Sequence, residues 1–313
     1  MKTSLPLISL LSLSIYLYSC GNSATDATLD TPTSGEITIG VDETFAPIID
    51  SQVYTFESLY ADANIKIKNL PEADAFKLLE ADSVRLVVSA RELSKAEMDV
   101  FKSKKIFPVS TKIAYDGLAL IVNPENEFSN VEYSDLKDIF QGKYNRWDSL
   151  QSKSKLGELN IVFDNEGSST ARYIKENLLE GKPFPKNCFA VKNNEEVINY
   201  VSTHKQAMGI IGVNWISDTD DPASQKFKEK IKVLGISAID GNPLAPEYFK
   251  PYQAYIALKK YPLTRTLYIV SREGRTGLGT GFASFVAGDK GQRIILKSGL
   301  MPATSPIRIV GFR

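Results

Sequence analysis

An α/β fold with largely parallel sheets is the architecture that this sequence predicts. Apolar, β-branched runs alternate with segments of helical periodicity along most of the chain. The junctions carry helix-start and helix-stop residues, among them Pro71, Gly142, Gly181 and Gly288. No stretch recurs at a fixed period, which argues against a solenoid. With 313 residues, 43% of them hydrophobic and 24% charged, the chain has material for one large core or two medium ones.

The elements follow in order. "EITIGV" reads as a strand and "APIIDSQVYTFESLYADA" as a helix. "NIKIKNL" alternates with period two, a strand signal, and "PEADAFKLLEAD" is helical with Pro71 in its first turn. "VRLVVSA" is a buried-strand run, followed by a helix in "SKAEMDVFKSK". "KIFPVSTKIAYDGLALIVNP" predicts two strands, and "YSDLKDIFQGK" a helix stopped at Gly142. "LNIVFD" predicts a strand, and "SSTARYIKENLLEGK" a helix that closes at Gly181. "NEEVINYVSTHK" is helical, "AMGIIGV" and "LYIVSR" are strands, and "GLGTGFASFVAGDKGQRIILKSGL" carries two helices around Gly288.

The first residues stand apart from this pattern. "MKTSLPLISLLSLSIYLYSC" has a charge at Lys2 and then an apolar run too short to span a bilayer comfortably, the form of a secretory signal. Its end at Cys20-Gly21 matches a bacterial lipoprotein signal, so residues 1–19 are expected to be removed and Cys20 lipidated. "NSATDATLDTPTS" then reads as a flexible tether, making 20–34 an anchor and linker.

Charge and rare residues narrow the chemistry. Lys plus Arg and Asp plus Glu both number 37, so the basic surplus of a nucleic-acid binder is missing. Cys20 and Cys188 are the two cysteines and His204 the single histidine. A thiolate or His-rich metal site is excluded, no cofactor is expected, and Cys188 has no disulfide partner once Cys20 carries lipid.

The junction "DNEGSSTARYIKENLL" holds the most chemical information. A strand ends, Asn165-Glu166-Gly167 turns, and Ser168, Ser169 and Thr170 open a helix with apolar Ala171, Ile174 and Leu178. Helix starts leave free N–H groups and partial positive charge, so these hydroxyls can cap the helix, hold an anion, or do both. A nucleophilic Ser168 is disfavoured. It lacks the G-x-S-x-G setting, and a triad would need His204, which sits at a helix end. "GRTGLGTG" fits neither a dinucleotide nor a Walker loop and reads as a turn into a helix.

Several segments together resemble the phosphate-binding lipoproteins that feed bacterial ABC transporters, a family of type II periplasmic binding proteins. They are "DGLALIVNPEN" followed by "LKDIFQGKYNRW", "EGSSTARY" where the family has its Gly-Ser-Gly-Thr loop, "GIIGV", and "GFASFVAGDKGQRIILKSGLMPA". "VSARELS" fits a further contact segment less sharply. The resemblance implies two lobes joined by a hinge, each a mixed sheet flanked by helices, with ligand in the cleft between them. By family analogy one lobe takes residues 35–115 and 248–313 and the other 116–247. Carried over residue by residue, the ligand contacts would be Thr44 and Phe45, Ser89 and Arg91, and Ser168, Ser169 and Thr170.

Two positions depart from the family pattern. Asp164 stands where well-matched members have an arginine, so Arg172 would supply the cation. Ala90 stands where some members have an aspartate that accepts the proton of hydrogen phosphate. The resemblance therefore implies a non-enzymatic, monomeric, lipid-anchored binder of inorganic phosphate on the periplasmic side, delivering to an ABC permease. The alternatives are another oxyanion (sulfate, molybdate or tungstate) or an envelope sensor or interaction module with an altered anion site.

Overall fold

In the computed structural model of the chain, residues 30–242 and 244–304 are described. The signal segment and Cys20 lie outside them. The elements run β1 Gly35–Asp42, α1 Ala46–Leu59, β2 Ala63–Leu70, α2 Glu72–Glu80, β3 Leu86–Ser89 and α3 Lys95–Ser103. Then come β4 Val109–Val122, β5 Asn130–Val131, α4 Tyr133–Phe140, β6 Asn160–Phe163, α5 Ser169–Asn177, β7 Cys188–Ala190, α6 Asn194–Thr203 and β8 Ala207–Gly212. The last third holds α7 Pro222–Glu229, β9 Lys232–Val233, β10 Gly235–Ser237, β11 Tyr248–Phe249, α8 Gln253–Ala257, β12 Thr264–Ser271, α9 Leu278–Ala287, α10 Asp289–Lys297 and β13 Met301–Pro302.

One strand links the two halves. The hydrogen-bonded order is β2-β1-β3-β12-β4-β8-β6-β7, and β4 belongs to both ends of it. Its first half pairs antiparallel with β12, from Val109 to Gly117, and its second half antiparallel with β8, from Leu118 to Val122. The two strands expected across this stretch are therefore one continuous strand that changes partner at Gly117 and Leu118, with Asp116-Gly117 held extended rather than turned. Parallel pairs β1–β2, β1–β3, β6–β7 and β6–β8 flank the antiparallel centre. The sheets are thus mixed, as the resemblance implied and composition alone did not. A small sheet, β11-β10-β5, sits to one side.

Each half buries both faces of its sheet. In the first, Ile39, Val41, Phe56, Leu267 and Phe282 pack under α1 and α9, while Phe76, Leu79, Phe101 and Val270 pack under α2 and α3. Phe56 meets Tyr60, Phe282 and Phe285 at ring-centroid distances of 4.8, 5.5 and 5.3 Å, aromatic contacts that fasten α1 to α9. In the second half, Leu120, Phe140, Trp147, Ile161 and Ile174 form one core, and Ile121, Val162, Val197 and Ile211 form the other. Phe249, Ile256, Tyr261 and Leu263 also pack in the second half, so the chain rejoins the first sheet at Thr264. The division expected at 248 precedes this stretch.

Local rules account for most boundaries. Gly142, at φ +75°, stops α4 just past Phe140, as its left-handed conformation favours. Helix α5 ends at Asn177, before the expected Gly181, because Leu178 and Leu179 turn inward to the core. Ser94 and Glu97 form a reciprocal capping box at the start of α3.

Gly209 lies in the most crowded part of β8. A Cβ there would meet Val197 and Val201 at 2.8 Å and Ile121 at 2.9 Å. Gly209→Ala is expected to destabilise the protein by ~1–3 kcal/mol through overpacking, seen as a lower thermal midpoint in circular dichroism. An unchanged midpoint would contradict this packing.

Candidate functional site

The C-terminal ends of β1, β3 and β6 point to one place, where the two halves of the molecule face each other. This is the position at which α/β sheets present ligand-binding groups. The chain builds it from two tight starts. After β1, Asp42 accepts hydrogen bonds from the Thr44 N–H at 3.3 Å and the Thr44 hydroxyl at 3.2 Å, forming a short 3-10 turn into α1. After β6, the Asn165 side chain accepts from the Gly167 N–H at 2.8 Å, and Ser168 caps α5 by accepting from the Ala171 N–H at 3.0 Å. Ser168, Ser169 and Thr170 are all buried.

The cation of this centre is Arg265, on β12. Its side chain is 3% exposed. Nε donates to Asp116 Oδ2 at 2.8 Å, Nη1 donates to the Ser169 hydroxyl at 2.8 Å, and the guanidinium lies 4.7 Å from the centre of the Phe45 ring. The Thr170 hydroxyl sits at 3.5 Å from Nη1. Nη2 is buried with no hydrogen-bond partner among the described residues. A buried guanidinium normally uses its donors, so this orphan identifies the point where the site can take an acceptor.

Carboxylates surround the same centre. Asp164 accepts from the Ser168 hydroxyl at 2.6 Å, the Thr44 hydroxyl at 3.0 Å and Asn194 Nδ2 at 3.2 Å. Asp42 Oδ2 accepts the Ser169 N–H at 3.3 Å. Burial, together with the charges of Glu72 and Asp164, pushes the Asp42 carboxyl up to about 7, against the pull of Arg265. Burial raises Asp164 and Asp116 as well, and carries Glu43 up to about 7, where Asn194 hydrogen-bonds it at 2.8 Å. The centre is thus rich in hydroxyl donors, holds one guanidinium, and keeps acidic groups close to protonation at neutral pH.

The expected contacts divide into two sets. Thr44, Phe45, Ser168, Ser169 and Thr170 come together around Arg265 and the two aspartates. Arg172, expected as the compensating cation, is directed elsewhere. It donates to Glu72 at 2.6 Å, to Glu176 at 2.9 Å and to the Ala90 carbonyl at 3.1 Å. Arg91 pairs with Glu97 at 2.7 Å, lies 3.5 Å from Glu72 and stacks on Phe76. Ser89 donates to the Arg91 carbonyl at 2.7 Å. Both arginines turn to Glu72 because that carboxylate is 2% exposed and requires neutralisation.

Arg265 was missed in the sequence because it lies just before the strand read from Leu267, outside every motif, and β12 in fact begins at Thr264. The visible signal was an arginine at an inward position, flanked by the buried Leu263 and Leu267. His204 stacks on Tyr200 at 3.9 Å and bonds the Tyr200 carbonyl at the end of α6, a helix-end role. Cys188 is free and buried, and burial pushes its thiol up to about 12.

These bonds also join the halves. Thr44 to Asp164, Ser169 to Asp42, Asn194 to Glu43 and Arg172 to Glu72 all cross between them, as does the Ala73 N–H to the Gly167 carbonyl at 3.1 Å. Asp42 binds a proton more readily in the folded state than in the unfolded one. Its contribution to stability is therefore full below pH ~4 and lost as pH rises through about 7. The thermal midpoint of the ligand-free protein should fall between pH 5 and 8, and Asp42→Asn should flatten that fall. An equally steep fall in the variant would remove Asp42 as its source.

Comparison with known proteins places this geometry. The family model described as PBP superfamily domain matches residues 26–290. The phosphate-binding protein PstS of Borreliella burgdorferi is 24% identical over 311 residues, covering 96% of this chain and 99% of that protein. PstS of Staphylococcus aureus (strain USA300) is 27% identical over 256 residues, covering 80% and 73%. The fold matches a phosphate-bound Clostridium perfringens protein, proposed to be a phosphate ABC transporter substrate-binding protein, with a TM-score of 0.71. The two are 19% identical, with 86% of this chain and 100% of that one covered. The family is one of binding proteins rather than enzymes. With a matched family model over most of its length and two sheets joined through β4 around a shared polar centre, the chain belongs to the PBP superfamily and has the two-lobed type II periplasmic binding protein fold.

Proposed function

We propose that the chain is an extracytoplasmic solute-binding protein for inorganic phosphate, serving an ABC permease and anchored through a lipid on Cys20. The observation that carries this reading is the Arg265 guanidinium, buried against the Ser169 and Thr170 hydroxyls with Nη2 unpartnered. Charge-assisted hydrogen bonds from such a group, in a water-excluded centre, provide oxyanion affinity without any covalent step. The named relatives, phosphate-binding proteins in Borreliella burgdorferi and Staphylococcus aureus, support the ligand.

In the proposed complex the anion takes hydrogen bonds from Arg265, the Ser169 and Thr170 hydroxyls and Thr44, with Phe45 as the platform beneath the guanidinium. Asp42 and Asp164 accept O–H groups of the ligand. In their ionised form they disfavour a fully deprotonated tetrahedral anion, since like charges at close range repel by several kcal/mol in a protein interior. Phosphate carries protons at neutral pH and sulfate carries none, so the aspartates select phosphate. They take over the acceptor role that Ala90 cannot fill. Arg172 and Arg91 act at one remove, holding Glu72 and with it the closed arrangement of the lobes. The crossover strand β4 and the stretch from Phe249 to Leu263 form the proposed hinge, and no helix among the described residues is long and apolar enough to cross a membrane.

Isothermal calorimetry should record phosphate binding at pH 7 that Arg265→Met weakens at least tenfold, in line with the loss of a charge-assisted bond worth ~1.5–3 kcal/mol. Asp164→Asn should narrow the preference for phosphate over sulfate. Absence of heat with phosphate, sulfate, molybdate and tungstate alike would overturn the reading, and binding of sulfate at equal strength would overturn the role of the aspartates.

A further inference from the structure

A second concave site lies away from Arg265, on the flank of the proposed hinge. It is a groove of about 760 Å³ between the end of α10, the segment from β11 into α8, and the edge formed by α7 and β9. That volume falls within the ~300–1,000 Å³ of sites that hold small organic ligands. Both halves of the molecule contribute, with Ile231 and Lys232 on one wall and Leu296 and Lys297 on the other.

The lining has two chemical parts. Leu296 and the ring of Tyr252, both exposed, supply its apolar surface, with Ile216 and Ile231 buried behind it. Lys228, Lys232, Lys250 and Lys297 supply its charge, and none of its lining residues is acidic. Lys297 pairs with Asp220 at 2.8 Å, outside the groove. Lys232 donates to the Asn126 carbonyl, and no carboxylate among the described residues lies within ion-pair distance of Lys232 or Lys250. The two like charges are close enough that burial and the Lys250 charge together hold the Lys232 ammonium below its usual range. Like charges gathered over an apolar floor raise the free energy of the empty groove, and an anion relieves that repulsion.

We propose that this groove binds an amphipathic anion, a single carboxylate head on an apolar chain. The head sits between Lys232 and Lys250, and the chain lies against Leu296 and Tyr252. A small inorganic anion would leave the apolar surface exposed to water, and a neutral apolar molecule would leave the lysines unpaired. The chain's own residues 305–313 include Arg308 and Arg313 and no acid, so their charge does not suit the groove. The site is independent of the Arg265 centre, whose residues it does not share.

Titration of the full-length protein with sodium dodecanoate, below its micellar concentration, should show saturable one-to-one binding by calorimetry. Dodecyltrimethylammonium, the same chain with a cationic head, and acetate, the same head without the chain, should each bind at least tenfold more weakly. The pair Lys232→Gln and Lys250→Gln should weaken dodecanoate at least tenfold, and Lys232→Gln alone, which lies outside the proposed hinge, should weaken it while leaving phosphate binding and the thermal midpoint unchanged. Equal binding of the cationic detergent, absence of saturable dodecanoate binding, or dodecanoate affinity untouched by the lysine changes would each overturn the proposal. If the double variant fails to fold, the comparison of the three probes on the unaltered protein still decides it. Loss of phosphate binding alone would count against the Arg265 site and not against this one.

Discussion

Arg265 is buried with its guanidinium bonded to Asp116, touching the Ser169 hydroxyl and lying over the Phe45 ring. A desolvated cation is tolerated only where its donors meet acceptors, and the surrounding structure is arranged to meet that demand. Asp116 comes from β4, the strand shared by both halves, and Ser169 from the first turn of α5. Phe45 comes from the short turn between β1 and α1. One side chain thus requires that the central strand, a helix start from the second half and a loop from the first half arrive at the same point. Contact between the two halves at this point is the geometric consequence.

The acidic groups around this cation give the centre its second property. Asp42 and Asp164 each hold hydroxyl or N–H donors and are buried beside one another's charge. Burial raises both carboxyls, Asp42 to about 7, while the Arg265 charge pulls against it. The Glu72 cluster is built on a different logic: two arginines neutralise one buried carboxylate, and the unit spans from α2 to α5. The first arrangement suits recognition. The second suits holding two bodies together, because its charges are already matched.

The groove beside the proposed hinge contrasts with both. Its charges share one sign and face an apolar surface, whereas the central site mixes signs and buries nearly every polar atom in hydrogen bonds. The proposed ligands differ accordingly, a small polar oxyanion in the centre and an amphipathic carboxylate in the groove.

Local chemistry was legible in the linear sequence wherever a short-range rule governs it. The alternation in "NIKIKNL", the Ser168 cap, the stop at Gly142 and the two helices around Gly288 all appear as read, since each depends on neighbours a few residues away. The gathering of Thr44, Phe45 and Ser168 to Thr170 followed from a resemblance of segments, whose order along the chain carries the fold. What only the tertiary structure decided are the partners of charges. Arg172 stands between Ala171 and Tyr173 and Arg265 between Thr264 and Thr266, and neither pattern says which one reaches the centre. Arg172 is captured by Glu72, 100 positions away, and Arg265 by Asp116, 149 positions away. Ion pairs form by proximity in space, and proximity in space is set by sheet order, in particular by β4 running from one half into the other.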